Sequence, residues 1–250
     1  MKAFGFLSFG HYGSGRGPGD PDARQVLHDA VEIAEGADEM GVNGAYFRVH
    51  HFARQGAAPV PLLSAIAART QRIEVGTGVI DMRYENPLYM AEDAGAADLI
   101  SGGRLQLGIS RGSPEQVIEG YRLFDHHPRE GETDADMARR HTARFLEVLE
   151  GEGFAEPNPR PMFPNPPGLL RLEPHSEGLR ERIWWGAATT PTAVTPGMAP
   201  SARLTRTDSW PCSSTVAVSS VCTPSKSVTT ASTSIGSAGE TSGAIAEATA

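Results

Sequence analysis

Cysteine is nearly missing from this chain: Cys212 and Cys222 are the only two among 250 residues. They offer neither a disulfide framework nor a thiolate metal site, and their scarcity suits a reducing cytoplasm. Positive charge is also short. The 22 Lys and Arg against 30 Asp and Glu give a net charge of −8, and no basic stripe exists to displace counterions from nucleic-acid phosphates. Long apolar runs are absent, since nothing approaches the ~20 residues of a membrane-spanning helix. The apolar start Ala3 to Phe9 is broken by Gly5 and runs into His11 and Tyr12 rather than a small-residue cleavage site, so it reads as a first strand. Small molecules are the expected partners, with no nucleic acid and no membrane.

What is present is alternation. The hydrophobic content of 39% is enough for a core through the first two thirds of the chain. After the first strand, Leu27, Ala30, Val31, Ala34, Ala37 and Met40 recur at helical spacing, and Gly41 ends that helix. A second strand, Ala45 to Val49, delivers His50, His51 and Phe52 to its C-terminal end. Pro61 opens an alanine-rich helix through Ala68, and Ile73 to Ile80 forms a third strand containing Gly76, Thr77 and Gly78. Strand and helix alternating with short links require parallel strands, right-handed crossovers and a sheet covered on both faces.

The stretch from Asn86 to Gly112 spells a helix, a turn and a strand. Asn86 caps, Pro87 suits the first helical position, and Gly102 and Gly103 close the helix behind Ile100. Leu105, Leu107 and Ile109 make a buried strand that exits through Ser110, Arg111 and Gly112 towards a second start signal at Ser113, Pro114, Glu115 and Gln116. That order aims a guanidinium and backbone amides at one point, where a phosphate is the natural occupant.

Other segments carry less chemistry. In HYGSGRGPGDPD, taking Gly13 and Gly15 as the first two glycines of a dinucleotide fingerprint puts Pro18 at the third, so the segment reads as a loop. His126 and His127 lack the partner spacing of a metal site, and none is expected. Ala138, Phe145, Leu146 and Leu149 mark another helix, the prolines from Pro157 to Pro174 a long loop over an active site or along the barrel wall, and Ile183 to Trp185 one further strand ending at Gly186. Two regions follow: 1–190 as a barrel portion, and 191–250 as a tail. Serine and threonine exceed a third of that tail, and Trp210 is its only aromatic residue. Such a composition predicts disorder or a changed reading frame.

The VHHFARQ run at 49–55, the RIEVGTGVI strand, the NPLYMAEDAGAADLISGGRLQLGISRG block and the WWGAATT run together resemble the bacterial luciferase-like flavin-dependent monooxygenases. The likeness covers roughly 1–190. It implies an α/β fold of the (β/α)8 TIM-barrel type, usually dimeric, in which reduced flavin and O2 oxidise an organic substrate through a flavin C4a-hydroperoxide. A separate flavin reductase supplies the reduced FMN. The resemblance maps a catalytic histidine onto His50, with His51 of the same pair also a catalytic candidate, and a phosphate-gripping arginine onto Arg111. Ser110 stands at the position of a reactive cysteine. Gly76, Thr77 and Gly78 are expected to let the backbone approach the ring, with Ser110, Gly112, Gly186, Thr189 and Thr190 completing the cofactor site. The family's barrel needs eight strands and this chain shows about five before it turns polar, so the barrel is expected to be incomplete. A homodimer is expected if the barrel is complete. Two other readings stay open: a deazaflavin-dependent hydride-transfer oxidoreductase on the same barrel, and a truncated, non-catalytic flavin-binding relic.

Overall fold

The computed structural model describes residues 3–13, 19–112, 116–186 and the backbone of 228–232. In chain order these form β1 (Ala3–Ser8), α1 (Ala23–Glu39), β2 (Gly44–Phe47), α2 (Pro59–Arg69), β3 (Glu74–Thr77) and β4 (Ile80–Asp81). Then come α3 (Pro87–Ser101), β5 (Leu105–Ser110), α4 (Asp134–Val148), β6 (Ile183–Trp185) and β7 (Val228–Ser232). Every ladder between named strands is parallel, running β7, β1, β2, β3 and β5, with β4 and β6 also on β5. Among the described residues the result is an incomplete arc of an α/β barrel.

The local signals act as their chemistry requires. Asn86 Oδ1 accepts from the amides of Leu88 at 3.0 Å and Tyr89 at 3.3 Å, and Gly102 adopts φ +66, the left-handed conformation that ends α3. Thr133 and Asp136 form a reciprocal capping box on α4. The first helix differs from its expected face: Ala30, Ala34 and Ala37 are buried, whereas Leu27 and Met40 are 46% and 78% exposed. Small side chains bring α1 close to the sheet and leave the longer ones at its rim.

The strand expected over Ile73 to Ile80 is broken in two by a bulge. Val75 and Gly76 face Leu105 and Gln106, but Ile80 and Asp81 face Ile109 and Ser110, so β3 and β4 use one more residue than β5 over the same span. At the break, the Thr77 hydroxyl donates to the Gly108 carbonyl at 2.8 Å. An extra residue reverses the side-chain alternation beyond it. Ile80 therefore joins Val75 in the core beneath the helices, and Asp81 turns to the inner side, level with Ser110.

The main core lies between the outer face of the sheet and the helices, from Ala34, Leu63 and Ile66 to Val75, Leu105, Leu107, Ile109, Phe145 and Trp185. Buried polar groups stitch it to the loops. Asp38 accepts backbone N–H bonds from Gln71, Arg72 and Ile73 at 2.7–3.0 Å. Fully buried Asp98 accepts from Ser176 Oγ and Arg182 Nη2, both at 2.6 Å. This last set pins the end of the proline-rich loop along the barrel wall, where the Pro174 carbonyl closes on Gly95 of α3. On the inner face Trp184 Nε1 donates to Gln106 Oε1 at 2.6 Å.

Within the tail expected to lack structure, β7 pairs with β1 from Ala3↔Val228 to Leu7↔Ser232. Val228, Thr229 and Thr230 are β-branched, the residue type that suits a strand. The rest of 191–250 lies outside the described residues, as do Thr189 and Thr190.

Candidate functional site

Because the strands are parallel, their C-terminal ends share one rim, and the chain leaves that rim with its most reactive side chains. His50 and His51 follow β2, Asp81 ends β4 with Arg83 just beyond, Ser110 ends β5 with Arg111 and Gly112 beyond it, and Gly186 follows β6. His50 is fixed through its backbone amide, which donates to the Gly56 carbonyl at 3.0 Å. Burial lowers its pKa below the ordinary imidazole range; Arg48 adds to that, and Asp81 opposes it. His51 is lowered in the same way by burial, again against Asp81. Asp81 thus acts electrostatically on both rings. A neutral imidazole at pH 7 is free to accept a proton.

His51 lies in an aromatic wall. Its ring stacks on Tyr84 at 4.1 Å between centroids, and Phe124 meets it edge-on at 5.2 Å. Among the described residues its Nε2 is buried without a hydrogen-bond partner, as is Nε of Arg48, whose guanidinium lies 5.0 Å from the Phe9 ring centre. Phe52, in the left-handed region at φ 59, meets Phe124 at 6.0 Å. Sequence spacing pointed to the paired histidines but not to Tyr84 and Phe124, which are far away along the chain.

After β5 the polar groups divide into engaged and free. Ser110 Oγ accepts from the Gly112 amide at 3.1 Å, closing a tight turn in which Gly112 sits at φ +94. Arg111 is exposed. Its guanidinium makes no hydrogen bond or ion pair among the described residues. Beside it Asp81 and Arg83 form a two-pronged ion pair. That pair had a sequence signal, since opposite charges two residues apart follow directly on a strand.

The glycines and threonine expected to line a cofactor do different work. A methyl at Gly76 would overlap the Gln106 carbonyl and sit 2.9 Å from the Tyr46 ring, so this glycine permits close strand approach in mid-sheet. Thr77 is fully buried with its hydroxyl engaged in the bulge. Gly78 lies nearer the rim, where a methyl would come within 3.2 Å of the Arg48 Cα. The Gly186 amide donates to the Ile109 carbonyl at 2.8 Å, continuing the ladder, so Gly186 supplies room and no free donor.

Residues 3–195 match the family of luciferase-like monooxygenases. The chain belongs to that family. It is 35% identical over 145 residues to 4-hydroxyprotoasukamycin monooxygenase of Streptomyces nodosus subsp. asukaensis, covering 57% of this chain and 36% of that protein. It is 32% identical over 92 residues to the oxygenase component of the flavin-dependent trigonelline monooxygenase of Acinetobacter baylyi, covering 36% of this chain and 26% of the other. Among solved structures, the monooxygenase RslO1 of Streptomyces bottropensis superimposes with a TM-score of 0.56 at 26% identity, over 77% of this chain and 56% of that one. This luciferase-like chain therefore matches between about a quarter and just over half of the length of these relatives. Among the described residues no helix is long and apolar enough to cross a membrane, and no group of His, Cys, Asp and Glu is arranged to hold a metal.

Proposed function

We propose that this chain binds reduced FMN across the C-terminal rim of its sheet and acts as the oxygenase component of a flavin-dependent monooxygenase supplied by a separate reductase. The observation that carries this reading is Arg111, a guanidinium free among the described residues, on the same rim as His50 and His51. The donor set suits a flavin phosphate: a cation at a strand exit beside a glycine turn. Nε2 of His51 and Nε of Arg48, buried and unpartnered among the described residues, are further polar atoms that a bound group can satisfy. The flavin-dependent relative among the comparisons agrees with this chemistry.

In this assignment Arg111 anchors the phosphate, and Gly78 adds no side chain where Leu7 and the Arg48 backbone already close in. Bound reduced flavin supplies the two electrons with which one oxygen atom of O2 enters an organic substrate while the other leaves as water. His50, neutral at pH 7, moves the proton, while His51 and Tyr84, stacked on one another, form an aromatic wall with Phe124.

The test is fluorescence titration of the 250-residue chain with FMN, riboflavin and a deazaflavin nucleotide. The proposal expects FMN to bind more tightly than riboflavin, and Arg111→Ala to remove about 1.5–3 kcal/mol of FMN affinity, as for a charge-assisted hydrogen bond, with riboflavin hardly affected. Equal weakening of both ligands removes Arg111 from the phosphate. Preference for the deazaflavin moves the chain to hydride transfer, and binding of no flavin removes the cofactor assignment.

A further inference from the structure

Arg83 sets its guanidinium against Asp81, Nε to Oδ1 at 3.0 Å and Nη2 to Oδ2 at 2.7 Å, and reaches Asp134 in the first turn of α4 through Nη1 at 2.8 Å. The side chains of Arg83 and Asp81 are only 11% and 16% exposed. The pair lies directly on the turn after β5, where a methyl at Gly112 would overlap both Arg83 Nη2 and Asp81 Oδ2. The bulge between β3 and β4 brings Asp81 there by turning it inward. An anion gripped by Arg111 next to Gly112 therefore has a carboxylate for a neighbour, largely screened from water, where like charges repel strongly.

We propose that Arg83 is a positioning residue of the phosphate loop: it cancels the charge of Asp81 and braces Gly112, and so lets an anion bind beside a carboxylate. This rests on the assignment of a flavin phosphate to Arg111. Asp81 acts electrostatically on His50 and His51, and Arg83 offsets its charge on the side of Gly112. Asp134 holds Arg83 from behind, which ties the loop to the N-terminus of α4.

The test measures dissociation constants of FMN and riboflavin, by quenching of flavin fluorescence, for the 250-residue chain and for Arg83→Gln, Asp81→Asn/Arg83→Gln and Arg111→Ala. Arg83→Gln leaves the Asp81 charge uncancelled and is expected to weaken FMN roughly tenfold while riboflavin changes less than about twofold. The double variant removes both charges and is expected to return FMN to within about threefold of the parent. FMN binding unchanged in Arg83→Gln, equal loss of both flavins, or no recovery in the double variant overturns the proposal. Should Arg83→Gln fail to fold by circular dichroism, the double variant decides alone, since it buries no unpaired charge. Parent-like FMN binding supports the proposal, and roughly tenfold loss confined to FMN defeats it. The phosphate assignment fails separately, through an Arg111→Ala variant that weakens both flavins alike.

Discussion

The imidazole of His51 lies 16° from parallel to the ring of Tyr84, with centroids 4.1 Å apart. Stacked and largely withdrawn from water, it is easier to keep neutral than to charge, and burial lowers its pKa as it does that of His50. An unfolded chain takes up a proton at such a histidine from about pH 6.5 downwards, and the folded chain only at lower pH. The contribution to stability is therefore complete above about pH 6.5 and is lost as pH falls through the folded-state value. Thermal melts between pH 8 and pH 5 on the native chain and His51→Phe should show a smaller loss towards acid in the variant. Parallel slopes would mean that the ring is solvated in the folded state.

Glu85 works in the opposite direction. Burial, with Asp81 and Asp93 nearby, raises its pKa to about 7. The folded state holds that proton more tightly than the unfolded one, so the contribution is complete below about pH 4.5 and declines as pH rises to about 7. Replacement by the neutral isostere in Glu85→Gln should stabilise the protein at pH 8 by about 2–3 kcal/mol and change little at pH 4.5. Denaturant unfolding at the two pH values measures the difference. An equal effect at both would trace it to packing.

Much of this architecture was readable because its signals are local. Asn86, Pro87, Gly102 and Gly103 bound a helix through caps whose chemistry spans only a few residues, and the alternation of strand and helix fixes parallel pairing. The bulge after Thr77 was not readable: Gly76, Thr77 and Gly78 look the same in a continuous strand, and the extra residue is defined only by register against β5. The same holds for the site. His50, His51 and Arg111 stand out as strand exits, whereas the field of Asp81 on both histidines depends on the inward turn that the bulge produces. β7 was hidden by the composition around it, since the average over 191–250 masks the β-branched run Val228, Thr229 and Thr230.

Asp98 explains how the segment before β6 stays on the barrel wall, and it offers a sharp stability test. Its carboxylate is fully buried and receives Ser176, Arg182 and the Leu105 amide, the last at 3.3 Å. In Asp98→Ala the Arg182 guanidinium loses its buried counter-charge, a change that costs about 3–5 kcal/mol. Limited proteolysis should then cut between Pro174 and Arg182 before it cuts α3. Cleavage kinetics equal to the parent's would show that the segment is held by other contacts.

His50 separates binding from chemistry. Its backbone is fixed by Gly56, so truncating the side chain leaves the turn after β2 intact, and the phosphate end of the proposed site lies on β5. His50→Ala is accordingly expected to bind reduced FMN within about twofold of the parent. If His50 moves a proton in oxygen transfer, the same variant lowers product yield by roughly 10²-fold, within the range contributed by a general acid or base, and diverts consumed oxygen to hydrogen peroxide. The measurement pairs oxygen uptake with peroxide and product yield, in this chain and in the corresponding variant of a longer relative such as the 4-hydroxyprotoasukamycin enzyme. Loss of affinity with coupling preserved would make His50 a binding residue. Unchanged affinity and coupling would make it structural, and the proton would then have to come from another group on the rim.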